Sequence, residues 1–314
     1  MVSTETEALK RLLAEQESAL GSNSLQLAEY LTAVGLKLYQ NSEFVEAEAP
    51  LRRALKIIEA HLAVDHAEVG SACANLGMLL LAQGQYHEAE ALLKKALAIQ
   101  EKALGVEHLS VAAGLNHLGE MYRALSKYEL AESFFKRALE LRKRHRGEMS
   151  LEVAEVLNNW GLLHYEQGRN AAAEKMFRKV LAIQEKLLGV DHPLVATTLT
   201  SIASLFTDRD QYDIAEPLYR KALSIRESSL STDHPKVAES LNNLGWLYHQ
   251  HGNYVRAEAL YIRALEIWRS ALGAEHANVA ACLENYADLL RKTDREIDAV
   301  ALEQRVYLIR HKRD

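Results

Sequence analysis

Residues 240–267 read SLNNLGWLYHQHGNYVRAEALYIRALEI, and the pattern returns at intervals of 42 residues along the chain. The alanine at its centre, Ala257, has counterparts at Ala47, Ala89, Ala131, Ala173, Ala215 and Ala299, with no insertion or deletion between them. A fixed period of this length marks a stack of like units, each unable to bury its apolar face alone. Seven units in strict register predict a solenoid.

Other columns give the unit its structure. Twelve residues before each alanine stand Gly35, Gly77, Gly119, Gly161, Ala203, Gly245 and Ala287. Four residues earlier come Leu31, Cys73, Leu115, Leu157, Leu199, Leu241 and Leu283, and three later Leu38, Leu80, Tyr122, His164, Phe206, Tyr248 and Leu290. That spacing is the one-sided stripe of an amphipathic helix, helix A. Glycine inside a helix costs about 1 kcal/mol against alanine, so its recurrence predicts close approach of a neighbouring backbone. Turn formers follow at Ser42, Gly84, Ser126, Gly168, Asp210, Gly252 and Asp294. A second helix, B, then carries Leu51, Leu93, Phe135, Phe177, Tyr219 and Tyr261 on its inner face. Gly105, Gly147, Gly189 and Gly273 are expected to end it in the left-handed cap conformation.

Composition agrees. The 314 residues include only 15 Gly and 4 Pro, against 48% hydrophobic residues, which disfavours both turn-rich β architecture and disorder. Thirty-seven Lys and Arg against 43 Asp and Glu leave a net charge of −6, so no global basic field recruits nucleic acid. Cys73 and Cys282 are too few for a disulfide framework and suit a reducing compartment. No apolar run approaches a membrane span, and Met1 to Gln16 lacks the apolar core of a signal peptide. The expected setting is cytoplasmic.

The columns resemble the tetratricopeptide repeat: a small residue in helix A, alanine opening helix B, an aromatic in its second turn and alanine after it. The 42-residue spacing, with LAIQEKLLGVDHPLVATTL at 181–199, is similar to the variant found in kinesin light chains and related bacterial arrays. The resemblance implies an all-α fold, a right-handed superhelix with a concave groove lined by helix A. Residues 1–24 are expected to form an N-terminal capping helix, with Leu9, Arg11, Leu13 and Glu17 in the columns of Leu51, Arg53, Leu55 and Glu59. Seven units follow at 25–66, 67–108, 109–150, 151–192, 193–234, 235–276 and a truncated 277–314. Glu296 and Glu303 replace aromatics in the last unit, as a terminal repeat requires. The closing IRHKRD places cations at a helix C-terminus.

Three columns invite chemistry. His66, His108, His192, His234 and His276 each follow an acid, but equivalent residues sit on helices about 8–10 Å apart, whereas ligands lie about 2 Å from a metal. The column reads instead as the entry to helix A, with Asp65 and Glu68 as a capping box and Pro193 and Pro235 in a first turn. Arg52, Lys94, Lys136, Arg178 and Arg220 each stand four residues after a glutamate and read as surface ion pairs. The parallel column of Arg53, Lys95, Arg137, Lys179, Lys221, Arg263 and Arg305 has no such partner and offers a positive rim to an acidic ligand or a solvated face. No nucleophile, zinc or phosphate-loop motif occurs. Neither enzyme nor cofactor is expected.

The informative face lies opposite the core stripe of helix A. It reads Asn116, Glu120, Arg123; Asn158, Leu162, Tyr165; Thr200, Ser204, Thr207; and Asn242, Trp246, His249. Asparagine can donate and accept along an extended peptide backbone. Trp246 is the expected anchor, with Trp160 assigned to the core and Trp268 to the outer face of helix B. The expected function is a scaffold or adaptor binding a linear peptide, with an aromatic-plus-acidic sequence implied by the kinesin-light-chain resemblance. Self-assembly through the ends or convex face is the alternative. An enzyme or sensor using His249, Glu120 and Arg123 is the third reading.

Overall fold

The computed structural model describes residues 4–41 and 43–311, with the backbone alone at 4–6 and 10. Ser42, assigned above to the first turn, and residues 1–3 and 312–314 lie outside the described residues. Fifteen α-helices and their connecting turns make up the rest: α1 Thr4–Leu20, α2 Leu25–Gln40, α3 Phe44–His61, α4 Ala67–Ala82, α5 Tyr86–Leu104, α6 Leu109–Ala124, α7 Tyr128–Arg146, α8 Leu151–Glu166, α9 Asn170–Leu188, α10 Pro193–Thr207, α11 Tyr212–Ser229, α12 Pro235–Gln250, α13 Tyr254–Leu272, α14 Ala277–Lys292 and α15 Glu296–His311. The fold is an all-α solenoid of helical repeats, with even-numbered helices in the A position. No described helix is long and apolar enough to cross a membrane.

The chain forms two compact units, Val2–Gln167 and Gly168–Asp314. In the first, α1 packs on α2, the pairs α2/α3, α4/α5 and α6/α7 form hairpins, and α8 packs on α7 and α6. In the second, α9 packs on α10, followed by the hairpins α10/α11, α12/α13 and α14/α15.

The turns after α4, α6, α10, α12 and α14 are Schellman closures. Ser126, Asp210 and Asp294 take φ of 56°, 56° and 57°, where Gly84, Gly168 and Gly252 stand in other repeats. After α4, Gly84 N–H donates to Leu81 O (3.0 Å) and Gln85 N–H to Leu80 O (2.8 Å), satisfying carbonyls the helix end would leave orphaned. The glycines ending helix B differ from expectation. Gly105, Gly147, Gly189 and Gly273 combine positive φ with ψ of 151–168°, an extended region essentially closed to other residues rather than the left-handed helical one.

The small-residue column makes room for a side chain rather than a backbone, a correction to the sequence reading. A Cβ on Gly77 would lie 2.9 Å from Leu93 Cγ, and one on Gly245 2.8 Å from Tyr261 Cε1. Helix A gives up its side chain so that the helix-B residue sixteen positions on can lie flat against it.

Five of the A helices begin on histidine. Nδ1 of His66, His108, His192, His234 and His276 accepts the backbone N–H two residues on, at 3.1–3.2 Å. The cap is therefore the imidazole and not Asp65, whose carboxylate instead accepts from Lys102 Nζ at 2.8 Å.

Helix B has a second buried face, which a single-stripe reading missed. Trp268, expected on the outside, is 4% exposed, because the next helix A packs over that side. Arg142 and Arg226 stand in the same column and are also buried. Arg226 Nη1 donates to Lys236 O (3.0 Å) and Ser240 Oγ (2.9 Å) on α12. Five members of the basic column are paired between repeats. Arg53–Glu17, Lys95–Glu59 and Arg137–Glu101 join helices of the first unit, and Lys221–Glu185 and Arg263–Glu227 those of the second. At the last hairpin, Arg291 holds both Glu296 and Glu303.

Candidate functional site

In the first unit the helix-A face presents a mixed surface. Leu36 and Tyr39 on α2, Met78 and Leu81 on α4, and Leu162 and Tyr165 on α8 are all half-buried. Between them, α6 contributes Asn116, Glu120 and Arg123. Asn116 is wholly buried, not open as the sequence reading had it. Its Nδ2 donates to Glu120 Oε1 and Glu155 Oε1, each at 3.0 Å. Asn159 Nδ2 donates to Asn116 Oδ1 (3.3 Å) and to Glu120. Asn158 reaches its neighbour Asn159 at 3.5 Å.

The charges of this surface are unevenly matched. Arg142, buried on α7, donates to Glu152 O and to Glu155 Oε2 (2.9 Å). Arg123 pairs with Glu166. Glu120 receives amide donors alone. Burial, with Glu155 nearby, raises its carboxyl to about 7, against the opposing pull of Arg123 and Arg142. His117, one residue beyond Asn116, is pushed down to about 4 by burial and by Arg142, and its Nδ1 has no hydrogen-bond partner among the described residues.

The second unit carries the other half of the sequence-derived stripe. On α10, Thr200, Ser204 and Thr207 satisfy their hydroxyls on their own helix, donating to Ala196 O, Thr200 O and Ala203 O. Thr207 is buried. On α12, Asn242 Oδ1 accepts from Asn285 Nδ2 at 3.2 Å, three repeats along from the equivalent bond of Asn159 on Asn116. Trp246 is partly exposed and meets the His249 ring edge-on, 5.5 Å between centroids. His249 itself is 4% exposed, tucked against Tyr254 and Tyr261 with Nε2 3.5 Å from Asp288 Oδ2. Burial lowers its pKa, opposed by Asp288. Trp160, placed in the core by sequence, is partly exposed and stacks on His164 at 6.0 Å.

Asn116, Thr207 and His249 are thus structural parts of the face rather than its open surface. Asn116 is covered from α8, and His249 from Tyr254 and Tyr261 of its own helix B together with Asp288 on α14. Leu36, Tyr39, Met78, Leu81, Glu155 and Asn159 were not singled out from sequence. The first four sit in the columns of Leu162 and Tyr165, so extending those columns to the first two repeats finds them.

A sequence model of the tetratricopeptide repeat matches residues 70–144, 152–228, 195–261 and 252–310. No curated protein sequence matches. Among solved structures, a putative kinesin light chain from Podospora anserina with nearly identical repeats is similar at TM-score 0.55 and 20% identity, covering 66% of this chain and 99% of that one. A Rap protein complexed with competence and sporulation factor superposes at TM-score 0.70 with 17% identity, covering 96% and 80%. The Rap conjugation gene regulator of plasmid pLS20, in complex with the Phr* peptide, does so at 0.70 with 16% identity, covering 94% and 76%. At these identities the likeness is one of fold. The matched repeats, with their kinesin-light-chain-like period, place this chain in the tetratricopeptide repeat family.

Proposed function

We propose that the protein is a non-enzymatic interaction scaffold that holds an extended peptide against the helix-A face of its repeats. The observation that carries this is the row of half-buried side chains there: Leu36, Tyr39, Met78, Leu81, Leu162 and Tyr165 in one unit and Trp246 in the other. Each is exposed enough to be contacted and anchored enough to present a fixed surface, so a peptide meets little ordering cost on the protein side. The pLS20 regulator, a protein of like fold, is in complex with a peptide, which supports peptide binding by such a fold. The two unpaired, buried thiols, Cys73 and Cys282, suit a reducing, cytoplasmic setting.

Of the aromatic-plus-acidic peptide implied by the kinesin-light-chain resemblance, the aromatic half finds support in Trp246 and its apolar neighbours. The acidic half finds less, because Arg123 and the helix-B cations named above already hold carboxylates of the protein. A peptide-display selection on the full chain, counter-selected with Trp246→Ala, tests the proposal. Enriched sequences that lose affinity for that variant support it. Failure to enrich any sequence from a library of linear peptides overturns it.

A further inference from the structure

One column of the first unit's helix-A face is apolar at every repeat but one. The column that reads Leu36, Met78 and Leu162 holds Glu120 on α6. That carboxylate is partly exposed, between the α4 and α8 residues on either side. Its surroundings were built to orient it, with Asn116 and Asn159 both donating to it and Asn116 wholly buried. They do not neutralise it. Of the two nearby arginines, Arg142 is committed to Glu155 and Arg123 to Glu166, and no cation among the described residues lies within ion-pair distance of Glu120. His117, on the same helix, is kept neutral by its burial.

A partly buried carboxylate held by amides and left without a counter-charge is stabilised by any cation that arrives with its own apolar cover. Resting on the peptide-scaffold reading above, we infer that the first unit selects peptides with a lysine or arginine side chain received by Glu120 and flanked on both sides by apolar residues. Spacing follows from geometry. Neighbouring A helices stand about 10 Å apart, and a peptide in the extended polyproline II conformation advances about 3.1 Å per residue and returns every third side chain to the same face. Apolar residues three before and three after the basic one therefore reach Met78 and Leu81 on one side and Leu162 and Tyr165 on the other. An acidic residue at the centre would face Glu120, with Glu155 behind it.

Proton linkage gives an independent signature. The titratable and charged groups that act on Glu120 are Arg123 on its own helix, Glu155 on α8, Arg142 on α7 and Tyr39 on α2, with Glu166 of α8 paired to Arg123. Glu120 is part-protonated near neutrality, so a cation that binds the carboxylate expels a proton, and binding tightens as pH rises from 6 to 8.

The test uses the full chain and a display library of nine-residue linear peptides without histidine, blocked at both ends. Enriched peptides are measured on the parent, on Glu120→Gln and on Glu120→Leu, the residue its column holds elsewhere. The expected result is a basic residue with apolar residues three positions away on each side. Affinity should fall at least tenfold on both variants, and the rise with pH should vanish in them. Enriched peptides that lack a basic residue, or that bind Glu120→Gln and Glu120→Leu as tightly as the parent, overturn this inference and leave the scaffold reading standing. No enrichment at all overturns both.

Discussion

The ring of Phe135 fills the space that a side chain on Gly119 would need: a Cβ there would lie 2.6 Å from Phe135 Cδ1. Both residues sit in the core of the first unit, Phe135 wholly buried. Gly119→Leu is therefore an overpacking change and should destabilise the protein by about 1–3 kcal/mol in a denaturant titration. Leucine is a better helix former than glycine by under 1 kcal/mol, so a neutral result would mean that the α6/α7 contact yields more easily than close packing allows.

Tryptophans separate stability from binding. Trp268→Ala removes a buried ring and should cost roughly 3–5 kcal/mol. Trp246 is partly exposed, so Trp246→Ala should cost well under that while weakening a selected peptide at least tenfold. Paired melting curves and titrations of the two variants make the comparison. Equal losses of stability would place Trp246 in the core.

Arg226 is 2% exposed and binds Lys236 O, Ser240 Oγ and Glu239 at once. Arg226→Ala strands those acceptors beneath α12 and should destabilise the second unit by about 3–5 kcal/mol. Arg226→Trp, which copies the residue one repeat on, should retain more stability than alanine. A hydrogen-exchange map in which α12 is unaffected by Arg226→Ala would contradict the role.

Stability should depend on pH from two sides. The folded chain keeps His117 neutral down to about 4, whereas the unfolded chain protonates it near 6.5. Its contribution is thus present above 6.5 and lost as pH falls toward 4. Glu120 runs the other way: raised from 4.5 to about 7, it contributes stability that is full below 4.5 and lost as pH rises through 7. In urea midpoints measured from pH 4 to 8, His117→Leu should flatten the acid limb and Glu120→Gln the neutral one.

The helices, their turns and their inner stripes were legible in sequence because every unit repeats the same columns without a shift. Contacts between units were not. Reading each helix as having one buried face put Trp268 outside and left Arg142 and Arg226 unremarked, whereas helix B is covered both by its own helix A and by the next. The same gap left Arg53, Lys95 and Arg137 looking unpaired, since their acids lie 36 residues away on the preceding repeat. Candidate site residues suffered likewise. Helical spacing aimed Asn116 and His249 away from helix B, but α8 bonds over Asn116, and the Tyr254 and Tyr261 rings of α13 lie against His249.

Ser24 and Ser150 cap α2 and α8 with hydroxyls, whose oxygens carry two lone pairs. The five imidazole caps are different in kind. Each ring gives the one lone pair of Nδ1 to the backbone amide, so the cap exists only in the tautomer that keeps its hydrogen on Nε2. The bond that starts α4, α6, α10, α12 and α14 therefore also selects the ring's tautomer, and leaves Nε2–H as the donor that five helix entries still have to offer.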